Sequence, residues 1–398
     1  MDIFQKCHDF TEAREAQERG LYPFFIPIEE SKGTKVVMKG RELILIGSNN
    51  YLGLSWDKRV IEASIKATEK YGTSCSGSRF ANGTLALHEE LERRLAKFVN
   101  KEAALCFTTG YQTNLGAISA LLGRNEHIFT DRYNHASIMD GIFLATGMKG
   151  GVKIHRYFHN DPESLEKALK SVPKEEPKLI VTDGVFSMEG DIVKLPELRE
   201  LADRYNAKLY IDEAHALGVI GETGRGTEEY YDYKYRADIT MCTFSKSFGA
   251  LGGFVAGDRE VIDYIKHFAR PLIFSASMPP GTIAAVMESL KIMETELKHV
   301  KRLQAIAKKM IEGFKSIGFN IGVAETPIIP LIIGDNEKTF LFWKALFENG
   351  VYANPVISPA VPPDRSLIRT SFMAIHTDEE LDKVLEISER EAKKLGIV

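Results

Sequence analysis

From about Thr84 onward the chain alternates two patterns. Short apolar runs recur at residues 103–107, 127–130, 179–182, 209–211, 239–242 and 253–256. Between most of them lie segments of helical length, among them 85–99, 165–171 and 196–205. Runs without a polar alternate predict strands buried on both faces, and their alternation with helices predicts a mostly parallel sheet covered on both sides. Ligands of such sheets bind beyond the carboxyl ends of the strands, so the turns that follow these runs are where chemistry is expected.

The two ends of the chain read differently. Residues 4–19 form a charged amphipathic helix pattern, and residues 34–47, with KVVMKG and ELILIG, read as strand. After about Pro279 a long helical stretch, 280–317, precedes a smaller βα pattern at 328–333, 338–349, 351–354, 367–372 and 379–394. The expected organisation is an N-terminal segment of helix and strand (1–50), a large domain (51–285) and a smaller C-terminal α/β domain (286–398). No period of 20–50 residues repeats.

Composition narrows the class. The 398 residues carry 51 Lys and Arg against 55 Asp and Glu, a net charge of −4 with the basic residues scattered. A broad electrostatic footprint for nucleic acid is therefore not expected. Cys7, Cys75, Cys106 and Cys242 lie far apart, with no CxxC and no metal-ligand spacing, and read as reduced thiols with no metal site. The opening MDIFQKCHDFTEAREAQERG has no apolar core of a signal peptide. No stretch approaches the ~18 apolar residues of a membrane span. A cytoplasmic protein with at most peripheral membrane contact is expected.

Four turns carry candidate chemistry. Thr243-Phe244-Ser245-Lys246-Ser247-Phe248-Gly249-Ala250 follows an apolar strand. A lysine among hydroxyls and small residues suits an amine that forms a Schiff base, where a partly enclosed site keeps it neutral; a surface lysine in a polar turn remains the plainer reading. Asp212 and His215 lie in DEAHALG, directly after another apolar run and one strand–helix–strand excursion before Lys246. A carboxylate there can face a protonated pyridine nitrogen, the arrangement that makes pyridoxal 5′-phosphate (PLP) an electron sink; a helix cap and a core histidine are the alternatives. Phe107-Thr108-Thr109-Gly110-Tyr111-Gln112-Thr113-Asn114 opens a helix whose first N–H groups attract phosphate. His135, in Asp131-Arg132-Tyr133-Asn134-His135-Ala136-Ser137, can stack on a flat ring or cap a helix.

Together TFSKSFGALGG, DEAHALG, NHASIMDG, VTDGVFSMEGD and SNNYLGL resemble the α-oxoamine synthase family of fold-type I PLP enzymes, over roughly residues 15–395. The resemblance implies a large domain with a mostly parallel seven-stranded sheet and a smaller C-terminal α/β domain. It implies homodimers with shared active sites that condense an amino acid with an acyl-CoA, losing CoA and CO₂. By matching motif, Lys246 is the cofactor-linking lysine, His135 the ring-stacking residue, Asp212 the partner of the pyridine nitrogen and His215 that of the phenolic oxygen. Ser187 lies near the cofactor. Gly110, Tyr111, Thr243 and Ser245 serve the phosphate, joined by Ser275 and Ala276 of ARPLIFSASMPP from the partner subunit. Asn50 and Arg369, with His135, receive the substrate carboxylate.

Branches of that family differ in substrate. The aminolevulinate branch has an arginine where Leu21 stands, so an apolar acyl group is expected in place of a dicarboxylic one, with Arg19 the neighbouring cation. Residues 72–84, the Lys246 turn, ARPLIFSASMPP and residues 354–363 are most similar to the bacterial serine palmitoyltransferase branch. The expected reaction is L-serine with palmitoyl-CoA, giving 3-ketosphinganine. The alternatives are alanine with a pimeloyl thioester and glycine with acetyl-CoA, the oxononanoate synthase and aminoketobutyrate ligase reactions.

Overall fold

The computed structural model describes residues 2–358 and 360–398. The chain divides into two compact units: Asn49–Ala305, and the residues up to Ser48 together with Ile306–Val398. This differs from the three segments expected. The N-terminal residues do not stand apart, because strand Arg41–Leu45 pairs in parallel with Val351–Tyr352, and Val36, Met38 and Leu43 share a core with Phe314, Phe342 and Ile368. The other boundary falls inside helix Lys298–Ile317. Helix Pro280–Thr295 stays with the first unit because it packs on helices Lys58–Tyr71 and Ala86–Phe98. At Gly281 a Cβ would lie 2.5 Å from Thr68 Oγ1, so only glycine allows that approach.

The Asn49–Ala305 unit is built on a seven-stranded sheet. In spatial order its strands are Ala103–Phe107, Gly253–Gly257, Ile239–Thr243, Ala207–Asp212, Lys178–Asp183, His127–Asp131 and Lys153–Tyr157. Gly253–Gly257 runs antiparallel to both neighbours; the other pairs are parallel. Ile128, Val181, Tyr210 and Met241 face one core, and Phe129, Ile180, Leu209 and Ile211 face the other. Successive side chains of a strand point to opposite faces, so a sheet buried on both sides has no polar alternate. Six of these strands coincide with the apolar runs of the sequence. Lys153–Tyr157, with exposed Lys153 and Arg156 on the sheet edge, has no such run.

The second unit holds a sheet ordered Glu30–Lys32, Lys35–Met38, Arg41–Leu45, Val351–Tyr352, and an antiparallel sheet of Ile328–Ile332, Leu367–Ser371 and Asn354–Val356. The amphipathic helix expected over 4–19 is two short helices, Gln5–His8 and Glu12–Glu18, neither of which buries a residue. Without a packed face, helices this short gain nothing from tertiary burial that would join them. The stretch 280–317 is likewise two helices, Pro280–Thr295 and Lys298–Ile317. Among the described residues no helix is long and apolar enough to cross a membrane.

Candidate active site

Five turns leave the same edge of the large sheet, at the carboxyl ends of its mutually parallel strands, and close on a cavity of about 250 Å³. Its walls include Gly110, Tyr111, Asn114, His135, Ser137, Asp183, Asp212, His215, Thr243, Ser245 and Lys246. Of the thirteen residues the sequence singled out, eight meet here.

Lys246 is half-buried, and the turn that carries it is pinned from both sides. Phe244 and Phe248 are fully buried, and Ser247 Oγ donates to the Leu217 carbonyl at 2.6 Å. Lys246 Nζ lies 2.7 Å from His215 Nε2, and His215 Nδ1 lies 2.7 Å from the Tyr51 hydroxyl. An amine that hydrogen-bonds an imidazole at the sheet edge is placed for covalent work rather than for solvent.

Asp212 ends its strand 4% exposed. Its Oδ1 accepts from Ala214 N–H at 2.9 Å and its Oδ2 from Asn114 Nδ2 at 2.7 Å, so the carboxylate plane is fixed. Asn114 Nδ2 also donates to Ser137 Oγ, and its Oδ1 accepts from the Tyr210 hydroxyl. Asp183 stands beside Asp212 in register on the next strand. Burial pushes its carboxyl well above the usual range, and the charge of Asp212 adds to the effect. Protonation of one member of a close carboxylate pair follows the same logic.

His135 caps helix Ala136–Lys149, its Nδ1 accepting from Ser137 N–H at 3.2 Å. Its own N–H donates to Asp183 Oδ2 at 3.1 Å. The residue lies at the exposed rim, yet the protein around its ring lowers its pKa by desolvation; Asp212 opposes this and Lys246 adds to it.

Part of the cavity wall is a helix start. In Gly110–Leu121 the cap Thr109 accepts from Gln112 N–H, while the N–H groups of Gly110 and Tyr111 precede the first intrahelical bonds. A Cβ on Gly110 would lie 2.5 Å from Thr243 Oγ1. Thr243 Oγ1 in turn lies 2.9 Å from Ser245 Oγ. Two free N–H donors and two hydroxyls with no side chain between them fit the phosphate of PLP. With the Lys246 amine and the fixed Asp212 carboxylate lining the same cavity, the donor set fits the whole group. No cluster that would hold a metal ion occurs among the described residues.

A model of the class I and II aminotransferases matches residues 41–387. The chain belongs to that family. It is 48% identical to a serine palmitoyltransferase of Sphingobacterium spiritivorum, covering 99% of this chain and 98% of that one. It is 42% identical to an 8-amino-7-oxononanoate synthase of Thermoanaerobacter pseudethanolicus, covering 96% of each. Its fold matches a lysine-to-alanine variant of the S. paucimobilis serine palmitoyltransferase with a bound PLP–myriocin aldimine, with a TM-score of 0.95, 35% identity and full coverage of both chains. The α-oxoamine synthase resemblance and the fold-type I architecture are thereby borne out.

The remaining expected residues lie off the cavity wall. Ser187 is on the loop after strand Lys178–Asp183. Ser275 Oγ accepts from Gln112 Nε2 at 3.1 Å and the Ala276 carbonyl accepts from Thr108 Oγ1 at 2.6 Å, so both sit by the helix start within one chain. Asn50 Nδ2 donates to Ser55 Oγ at 2.7 Å. Arg369 belongs to the other unit, buried on strand Leu367–Ser371. Leu21 is buried, and Arg19 pairs with Glu337 at 2.8 Å.

Tyr51, Asn114, Ser137 and Asp183 stood inside motifs already singled out, without a role. For Asn114 there was a signal: it is four residues after Gly110, on the same helix face.

Proposed function

We propose that the protein is a PLP-dependent acyltransferase that joins L-serine to palmitoyl-CoA or a similar long-chain acyl-CoA, forming 3-ketosphinganine. One carbon–carbon bond forms between the serine α-carbon and the acyl carbonyl carbon. The thioester C–S bond breaks to release CoA, and the serine carboxyl leaves as CO₂. The observation that carries the reading is the convergence of Lys246, His215, Asp212 and His135 on one cavity with a phosphate-accepting helix start.

When bound, PLP supplies an electron sink for negative charge at the amino-acid α-carbon. Lys246 would provide the amine that holds it and the base for the α-proton. Asp212, oriented by Asn114 and Ala214, would face the ring nitrogen. His215 would hold the phenolic oxygen, and His135 would cover the ring and reach the substrate carboxylate. Gly110, Tyr111, Thr243 and Ser245 would hold the phosphate.

The reading extends to substrate and assembly. Buried Leu21 offers no charge to a dicarboxylic acyl group, and Arg19 is engaged with Glu337, which supports an apolar tail. Arg369 and Asn50 would take the serine carboxylate, with Ser187 near the cofactor. A cytoplasmic homodimer with shared active sites is part of the same reading, with Ser275 and Ala276 placed beside the helix start of their own chain and not brought there by the partner. Exposed Phe80, Phe268 and Phe274 in the large unit support such an interface.

The test is a product assay by mass spectrometry on PLP-loaded protein, crossing serine, alanine and glycine with palmitoyl-, pimeloyl-, acetyl- and succinyl-CoA. Serine with palmitoyl-CoA is expected to exceed every other pair. Preference for alanine with pimeloyl-CoA would keep the cofactor chemistry but replace the substrate assignment with the oxononanoate synthase reaction.

A further inference from the structure

We infer that Ser137 is a positioning residue of this site: its hydroxyl takes a hydrogen from Asn114 and gives its own to His135 Nδ1, so that the imidazole N–H of His135 sits on Nε2. Ser137 is 1% exposed, in the first turn of helix Ala136–Lys149. Its Oγ lies 2.9 Å from Asn114 Nδ2 and 2.7 Å from His135 Nδ1. With the same nitrogen Asn114 reaches Asp212 Oδ2, and with its oxygen the Tyr210 hydroxyl, at 2.7 and 2.8 Å. One amide therefore joins the strand carboxylate to the histidine at the rim.

The direction of each hydrogen follows from groups that can play one role only. The Ser137 backbone N–H can only donate, and it meets His135 Nδ1 at 3.2 Å. A proton on Nδ1 would set two N–H groups against each other, so the ring carries its N–H on Nε2. Tyr210 is fully buried, and among the described residues its hydroxyl has no acceptor other than Asn114. The amide oxygen therefore faces Tyr210, and the two amide hydrogens go to Asp212 and Ser137. Ser137 Oγ is thus an acceptor toward Asn114, and His135 Nδ1 is the one acceptor left for its own hydrogen among the described residues. The reverse arrangement, an Nδ1–H donating to Ser137, would also leave that hydroxyl hydrogen buried and unpaired, a costly state.

The consequence is chemical. A carboxylate accepts hydrogen bonds and repels a bare ring nitrogen, so an imidazole with Nε2–H as its free donor is the tautomer that suits capture of a substrate carboxylate. This consequence rests on the reading of His135 as a residue that meets the amino-acid carboxylate; the tautomer itself does not. The other charged and titratable groups around the ring are Asp183, Asp212, His215 and Lys246 of the cavity wall. Tyr111, whose hydroxyl donates to Asp140, meets the ring edge to face at 6.2 Å. None of these bonds Nδ1, so Ser137 sets the tautomer.

The test is ¹⁵N NMR of the full-length, histidine-labelled protein, both PLP-loaded and stripped, with the His135 signals identified by their loss in His135→Gln. The expected wild-type pattern is a protonated Nε2 and a bare Nδ1. Ser137→Ala removes the hydroxyl's bond to the bare nitrogen, and the His135 protonation midpoint is expected to rise by about 0.4–1 pH unit, the size of one such bond. An N–H on Nδ1 in the wild type, or an unchanged midpoint in Ser137→Ala, overturns the proposal. The wild-type spectrum decides even if the variant folds poorly. Absence of any change in the PLP absorbance of the wild type on adding serine would remove the functional reading while the tautomer result stood.

Discussion

Asn114 Nδ2 lies 2.7 Å from Asp212 Oδ2, and through this bond a helix side chain sets the orientation of a carboxylate on the neighbouring strand. Asn114 is itself held by the Tyr210 hydroxyl and by Ser137 Oγ, so it cannot release Asp212 by turning away without also giving up these two bonds. A carboxylate that faces a ring nitrogen needs a fixed plane, and hydrogen bonds to charged groups contribute about 1.5–3 kcal/mol. Asn114→Ala is therefore expected to weaken PLP binding roughly 10- to 100-fold. Fluorescence titration of the stripped protein checks this; an unchanged dissociation constant would show that Asp212 holds its orientation without Asn114.

On the proposed function, Lys246 is the one residue whose loss would remove both the covalent anchor and the base. Lys246→Ala is expected to abolish turnover, and borohydride treatment of the PLP-loaded variant should leave no cofactor mass on any peptide. In the wild type the mass should appear on the peptide containing Lys246. More than a few per cent of wild-type turnover in the variant would contradict the assignment.

His159 sits between two carboxylates, Nδ1 at 3.3 Å from Asp131 Oδ1 and Nε2 at 3.2 Å from Asp191 Oδ2. Burial alone would lower its pKa, but the two carboxylates prevail and raise it from 6.5 to about 10. The folded state thus binds this proton more tightly than the unfolded state. The stabilisation is complete below pH 6.5 and is lost as the pH rises through 10. His159→Gln is expected to cost about 1–3 kcal/mol at pH 6 and distinctly less above pH 10. Urea unfolding of both proteins at the two pH values measures the difference. Equal losses would assign the effect to the ring's packing on Tyr133 and Phe186.

What could be seen in the sequence depended on whether a residue's partners were local. Six strands of the large sheet were legible because each carries an unbroken apolar run, Ala103–Phe107 at one edge included. Lys153–Tyr157, at the other edge, was not, because it keeps Lys153 and Arg156 in water. The reversed direction of Gly253–Gly257 was not drawn from its composition, although the link from Thr243 is shorter than the dozen or so residues a parallel crossover needs. Lys246 and Asp212 stood out because each directly follows an apolar strand. The partners that orient them did not: Asn114 is 98 residues from Asp212, and Tyr51 is 164 from His215, separations that only the folded sheet closes.

Arg369 is the strongest test of the substrate end. It lies 5% exposed in the middle of Leu367–Ser371, paired in register with Pro330 on one side and Asn354 on the other. A guanidinium kept at such a position suits bidentate capture of a carboxylate, which a lysine's point charge reproduces only in part. Arg369→Ala is expected to raise the serine dissociation constant roughly 10- to 100-fold, by the 1.5–3 kcal/mol of a charged hydrogen bond. Arg369→Lys should recover part of that loss. The readout is the change in PLP absorbance on adding serine, with the serine-free spectrum and the melting temperature recorded alongside. A serine constant unchanged in Arg369→Ala would remove Arg369 from the site, whereas a lowered melting temperature with unchanged serine binding would make it a residue of the strand's packing.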